Sequence, residues 1–165
     1  MIDMGGLLPP PYTDDLFGRL LALNNAHAAD LSWKSPEDFA LLLDTASHVR
    51  AEPQGLALIV AMHEGCTYEN PNFAWHARRF PHFYYIDRVV VSGAARGRGL
   101  ARQLYADLEA VARAEGRQRL VCEINAEPPN PQSDAFHQKL GFEPVGEQFL
   151  ESYGRTVRYW SRELS

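Results

Sequence analysis

The loop Arg96-Gly97-Arg98-Gly99-Leu100-Ala101 carries residue types suited to hold an anion. Its two glycines let the backbone approach a ligand closely, and amide N–H groups at the start of the following apolar-periodic segment point outward as a nest. Arg96 and Arg98 add charge-assisted donors, which suit a phosphate-bearing ligand better than a neutral one. The segment lacks the Gly-Lys-Ser/Thr ending of a Walker loop and the G-x-G-x-x-G order of a dinucleotide fingerprint. Taken alone, it also reads as a plain strand-to-helix turn with solvated arginines.

The elements around this loop decide between those readings. Tyr84 to Val91 is rich in aromatic and β-branched residues and reads as a strand. Leu100, Leu104, Leu108 and Val111 mark a helix ending near Gly116, and Leu120 to Asn125 forms the next strand. A helix crossing between two strands places them parallel in one sheet, so the middle of the chain is α/β. Glu123 lies near the end of that second strand, where a carboxylate on a sheet edge could face a substrate.

Upstream, Thr13 caps a helix with Leu16, Leu20 and Leu23 at helical spacing, expected to run to about Asp30. Ser35 and Pro36 start a second helix with Phe39, Leu42, Leu43 and Ala46 inward. A short strand around Val49 and a buried strand over Leu56 to Met62 follow. Cys66 to Phe80, with its mixture of aromatic and polar residues, reads as a loop, either over a ligand site or simply packed on the surface. Trp33, Trp75, Tyr68, Tyr84 and Tyr85 are candidates to line an acceptor pocket, set against the commoner role of aromatic residues in packing. Downstream, Asn130 and Pro131 begin a short helix with Gly141 beyond its end, and Val145 to Glu151 pairs with Thr156 to Arg162 as closing strands.

Two spaced motifs then point to one family. Arg96, Gly99 and Ala101 occupy the marked positions of the R/Q-x-x-G-x-G/A signature of GNAT N-acetyltransferases. Asn130, Ser133, His137, Lys139, Gly141 and Phe142 fall in a segment that resembles the family's N-x-x-(A/S)-x-x-x-Y-x-K-x-G-F pattern. The resemblance is strongest from about Tyr84 to Phe142. It implies a single GNAT domain over 1–165: a mixed, twisted sheet of about six or seven strands flanked by about four helices, an α/β (α+β) fold. The sheet would splay between the Tyr84–Val91 and Leu120–Asn125 strands to admit the pantetheine arm of acetyl-coenzyme A. Backbone groups of Val89, Val90 and Val91 would bond that arm, Arg96, Gly97, Arg98, Gly99, Leu100 and Ala101 would hold the pyrophosphate, and Asn130, Ser133 and His137 would contact the coenzyme. Two departures stand out: the family's first strand is hard to find among Leu7 to Pro11, and His137 replaces the tyrosine that reaches the sulfur.

The implied reaction moves an acetyl group from a thioester to a primary amine of a small molecule, amino acid or peptide by direct attack in a ternary complex. An ordinary primary amine with pKa near 10 is neutral in only about one molecule per thousand at pH 7, so proton removal is needed. Asp87 falls where some family members carry a base-like glutamate, and Glu123 is the second candidate. Each could instead be a salt-bridged carboxylate, although Arg88 beside Asp87 should face the opposite side of a regular strand. His137 is the candidate acid for the departing thiolate if charged, or a neutral contact if not. A noncatalytic acyl-coenzyme A binding module is the alternative function.

Composition bounds these readings. The 165 residues suit one domain with a sizeable core, and 45% apolar and 22% charged residues fall in the globular range. A net charge of -5 argues against nonspecific nucleic-acid binding, and the longest apolar run is far shorter than the roughly 20 residues of a membrane-spanning helix. Cys66 and Cys122 fall in no CxxC pair and the six histidines are scattered, so free thiols and no metal are expected. The start of the chain lacks the features of a secretory signal, which with two cysteines points to the cytoplasm. Family habit leaves a homodimer as an expectation about partners.

Overall fold

The computed structural model describes residues 6–28 and 31–164. Six strands form one sheet in the order β1-β2-β3-β4-β6-β5, where β1 is His48–Ala51, β2 Ala57–His63, β3 Phe83–Val91, β4 Arg119–Glu127, β5 Glu143–Leu150 and β6 Arg155–Glu163. All neighbours are antiparallel except β3 and β4, which the crossover helix α4 (Leu100–Ala114) makes parallel. The other helices are α1 (Asp14–Ala26), α2 (Pro36–Thr45), α3 (Pro71–Ala77) and α5 (Pro131–Lys139).

The sheet separates two cores. Leu58, Val60 and Met62 of β2 join Leu16, Leu20, Phe39 and Leu43 of α1 and α2 and Phe73 of α3 on one face. Ala57, Ile59 and Ala61 join Leu104, Tyr105 and Leu108 of α4 on the other, with Phe136 and Leu140 around α5 packed against them. These stripes follow the period of two along a strand and 3.6 along a helix.

Helix starts match the capping chemistry. Thr13 accepts from the Leu16 amide, Ser35 from the Asp38 amide and Asn130 from the Ser133 amide. The first helix stops earlier than its spacing suggests, at Ala26, because Asn24 and Asn25 hydrogen-bond the Ser32 and Lys34 carbonyls and fold the chain back. The expected end near Asp30 lies outside the described residues. Cys66 to Phe80 is not loop throughout: Asn70 accepts from the amides of Asn72 and Phe73 and starts α3, with Pro71 at its first turn. Between Leu7 and Pro11, where the family's first strand would lie, Leu8 and Ala51 exchange two backbone hydrogen bonds of 2.8 and 2.9 Å, a single bridge rather than a strand.

Two irregularities shape the site. The β3–β4 ladder runs only from Phe83↔Arg119 to Tyr85↔Val121, so beyond it the strands part. In β3 a bulge places both Ile86 and Arg88 against consecutive residues of β2, Ala61 and Val60, leaving Asp87 as the extra residue.

Candidate active site

The parted strands frame a cavity of about 350 Å³ that penetrates the sheet. Ile86 to Val91 form its β3 wall and Cys122 to Asn125 its β4 wall, while Tyr105, Asn130, Ser133 and His137 close it on the α4–α5 face. Asp87, Glu123 and His137, separated by 50 residues of sequence, thus share one cleft. A second concavity continues it along Arg96, Gly97, Gly99, Leu100, Ala101 and Arg102. Arg98 lines neither.

At that second concavity, Gly97 and Gly99 adopt φ of +85° and +73°, a left-handed backbone that side chains disfavour. A Cβ at either position would meet nothing within 4 Å, so the space beside the backbone is left for a ligand. Gly99 is the N-cap of α4 and offers no side chain, so it gives the amides of the first turn no side-chain cap. The donor set fits a pyrophosphate: backbone amides and Arg96 at a helix start. Among the described residues no group of three or more His, Cys, Asp or Glu could hold a metal.

The bulge overturns the expected separation of Asp87 from Arg88. It reverses the alternation of β3, so that Tyr85 before it and Val90 after it both face the α1–α2 core. Asp87 and Arg88 therefore lie on the same side, and Arg88 Nε donates to Asp87 Oδ2 at 2.7 Å. Arg88 also donates to Asn24 and Ser32, while the Tyr68 hydroxyl donates to Asp87 Oδ1. Both Asp87 oxygens are thus engaged.

Glu123 sits on the same face with different company. The Tyr85 hydroxyl approaches its two oxygens at 2.9 and 2.8 Å, and no cation pairs with it among the described residues. Burial and then the Asp87 charge push its pKa up to about 8, against weaker lowering by hydrogen bonds from Tyr85, the backbone and Asn72. Two carboxylates on one face of the sheet, one from each wall of the cleft, are thereby set apart, one ion-paired and one poised near neutral pH.

His137 is 5% exposed and both its ring nitrogens are occupied. Nδ1 lies 2.8 Å from the Ser133 carbonyl, which can only accept, so the ring proton belongs on Nδ1. Nε2 then accepts from the Tyr105 hydroxyl at 2.6 Å. Burial lowers the imidazole pKa further, outweighing the raising effects of Ser133 and Asp134. The neutral-contact alternative is the one this geometry favours. His137→Gln is accordingly expected to lower kcat less than about tenfold, whereas loss of a general acid would cost about 10²–10⁴-fold. Steady-state kinetics at saturating cosubstrate distinguishes the two.

None of the five aromatic residues considered for the acceptor pocket lines the cleft itself. Tyr68 and Tyr85 stand behind the carboxylates, Tyr84 is on the opposite face bonded to Glu115, Trp75 stacks on Tyr159 at 4.1 Å, and Trp33 is 65% exposed. Sequence reasoning missed Tyr105, Arg88 and His27. Tyr105 lies one residue from the Leu104 stripe and reads as core; Arg88 is placed by a bulge that no residue type announces.

Comparison with known proteins agrees with this construction. The family model described as "Acetyltransferase (GNAT) family" matches residues 24–142. No curated protein sequence matches the chain. Among solved structures, the NatC complex bound to Gag peptide and CoA superposes with a TM-score of 0.71 at 15% identity, covering 96% of this chain and 98% of that one. Ribosomal-protein-alanine N-acetyltransferase from Brucella melitensis gives 0.68 at 21% identity, covering 96% and 99%. An N-acetyltransferase from Staphylococcus aureus Mu50 gives 0.67 at 19% identity, again covering 96% and 99%. With the family model spanning most of the chain and the fold, splayed strands and glycine loop agreeing with it, this protein belongs to the GNAT family of acetyltransferases, enzymes that use acetyl-coenzyme A.

Proposed function

We propose that the chain transfers the acetyl group of acetyl-coenzyme A to a primary amine by direct attack within a ternary complex. The observation that carries this reading is the gap between β3 and β4, which is lined from both faces of the sheet. His27, Leu31, Asp87 and Glu123 border it on the α1–α2 side, and Tyr105, Cys122 and His137 on the α4–α5 side. Two substrates can therefore meet through the sheet without a covalent enzyme intermediate, and alignment of that kind contributes effective molarities of about 10⁵ M or more.

In this reading, amides at the start of α4 together with Arg96, Gly97 and Gly99 hold the pyrophosphate. The backbone of Val89 to Val91 and the side chains of Asn130 and Ser133 line the path of the pantetheine arm. Acetyl-coenzyme A supplies the activated thioester. Glu123 accepts the proton lost by the attacking amine, and Asp87, fixed by Arg88 and Tyr68, orients the ammonium beside it. His137 holds Tyr105 and the cleft wall, and the departing thiolate takes up the proton released at the amine through Glu123 or solvent. Fold relatives whose names give protein amines as acceptors support an amine as the acceptor class. The cytoplasm is proposed as the setting on cysteine usage alone.

Initial rates measured while both substrates are varied test the direct attack. Lines that intersect in the double-reciprocal plot are expected; parallel lines together with an isolable acetylated enzyme would exclude it.

A further inference from the structure

A third concavity, of about 430 Å³, adjoins the cleft and shares Asn125 and Asn130 with it. Pro128, Pro129 and Gln132 of the β4–α5 region line it, together with Arg155 at the start of β6. The prolines fix their own φ, so this part of the lining is stiff.

Strand register puts Arg155 on the same face of the sheet as the two carboxylates. Tyr159 of β6 stands opposite Glu123, and Val157 stands opposite Asn125. Arg155 follows two residues further along β6, opposite Leu150 of β5. Leu150, Val157 and Tyr159 all pack with Trp75 of α3. Residues paired across strands share a face, as do alternate residues along one strand, so Glu123, Asn125 and Arg155 form one row. Asn125 lies two residues, about 7 Å, beyond Glu123 along β4.

The row ends on an unused cation. Of the three arginines of β6, Arg158 pairs with Glu147 and Arg162 with Glu109. Arg155 has no hydrogen bond or ion pair among the described residues, and neither has the Asn125 carboxamide. Asn130 uses its Oδ1 on the Ser133 amide, which leaves its NH2 group to donate. A guanidinium with two carboxamides in one concavity is a donor set that matches the planar oxygens of a carboxylate. Arg155 is only half-buried, so the carboxylate keeps part of its hydration there. Arg88 and Arg96 line the cleft as well, but Arg88 is paired with Asp87 on the β3 wall and Arg96 stands beside Gly97.

Building on the acetyltransfer reading, we propose that the acceptor carries a carboxylate about 7 Å from its reacting nitrogen, and that Arg155 with Asn125 binds it while the amine meets Glu123.

The test gives the full chain acetyl-coenzyme A with 6-aminohexanoate, whose extended chain spans that distance, or with its neutral isostere 6-aminohexanamide, and follows thiol release. Wild-type kcat/KM is expected to favour the acid by about tenfold, chiefly through KM. Arg155→Met should remove that preference and Arg155→Lys should keep part of it. Titrated coenzyme A affinity and the melting temperature should match the wild type in both variants. Equal use of the acid and the amide by the wild type overturns the subsite and leaves acetyltransfer standing. A preference that survives Arg155→Met does the same, because Arg88 or Arg96 would then hold the carboxylate. Weakened coenzyme A binding in Arg155→Met also overturns it and assigns the concavity to the coenzyme. Thiol release with neither amine, although coenzyme A binds, counts against the acetyltransfer reading and the subsite together.

Discussion

Gly99→Trp is expected to abolish coenzyme A binding while leaving the domain folded. The residue at this position caps α4 with φ of +73°, and the space over its Cα is open, so an indole placed there projects into the concavity that would receive the pyrophosphate. The left-handed backbone costs a non-glycine residue roughly 1–2 kcal/mol, which a domain of ordinary stability tolerates. Steric exclusion and displacement of the amide nest are far larger effects on the ligand. Gly97→Ala, with φ of +85° and equally open space, adds the backbone strain and only one methyl group, so its affinity is expected to fall much less. Isothermal titration with coenzyme A, beside thermal unfolding of the same samples, reads both effects. Unchanged binding or turnover in Gly99→Trp would remove the loop from the cofactor site.

Glu123→Gln is expected to lower kcat by about 10²–10⁴-fold with coenzyme A affinity preserved, because it deletes the proton acceptor and leaves the pyrophosphate loop untouched. Burial and the neighbouring Asp87 raise the Glu123 pKa to about 8, so wild-type kcat/KM per neutral amine should rise about tenfold per pH unit below 8 and flatten above it. The glutamine variant should lose that limb. Stability should move the other way. A carboxyl whose folded pKa lies above its unfolded value near 4.5 holds a proton in the native state that the unfolded chain has lost, so stability declines as pH rises from about 4.5 to 8. Removing the group removes that decline. The melting temperature of Glu123→Gln should therefore gain on the wild type between pH 4 and pH 8, and a constant difference would show that Glu123 is not held protonated by the fold.

Much of the positioning frame was legible because it rests on local chemistry. Thr13, Ser35-Pro36 and Asn130-Pro131 each announce a helix by a side chain able to cap it, and all three caps form. The glycines at 97 and 99 declare a left-handed turn in the same way. Asn70-Pro71 carries an equally plain signal, yet seven residues are too few for a helical stripe, and the aromatic character of the segment drew the reading towards a loop. Its rings serve non-local partners, Tyr159 and Gly146, which local periodicity does not identify.

The proton chemistry was legible in residue type but not in role. Asp87 and Glu123 both suit a base, and only the bulge at Asp87 separates them, by bringing Arg88 to the same face. His137 matches a motif position in sequence, but the Tyr105 hydroxyl and the Ser133 carbonyl decide where its proton sits. Contacts between residues 32 positions apart depend on how α5 closes over α4, and a linear pattern does not encode that distance.

Thiol release from acetyl-coenzyme A across a panel of primary amines, with the acetylated product identified by mass and coenzyme A binding titrated in parallel, tests the central claim most directly. Coenzyme A binding accompanied by amine-dependent thiol release and an N-acetyl product is the predicted result. Binding without transfer to any amine would contradict it and make the chain a noncatalytic acyl-coenzyme A binding module.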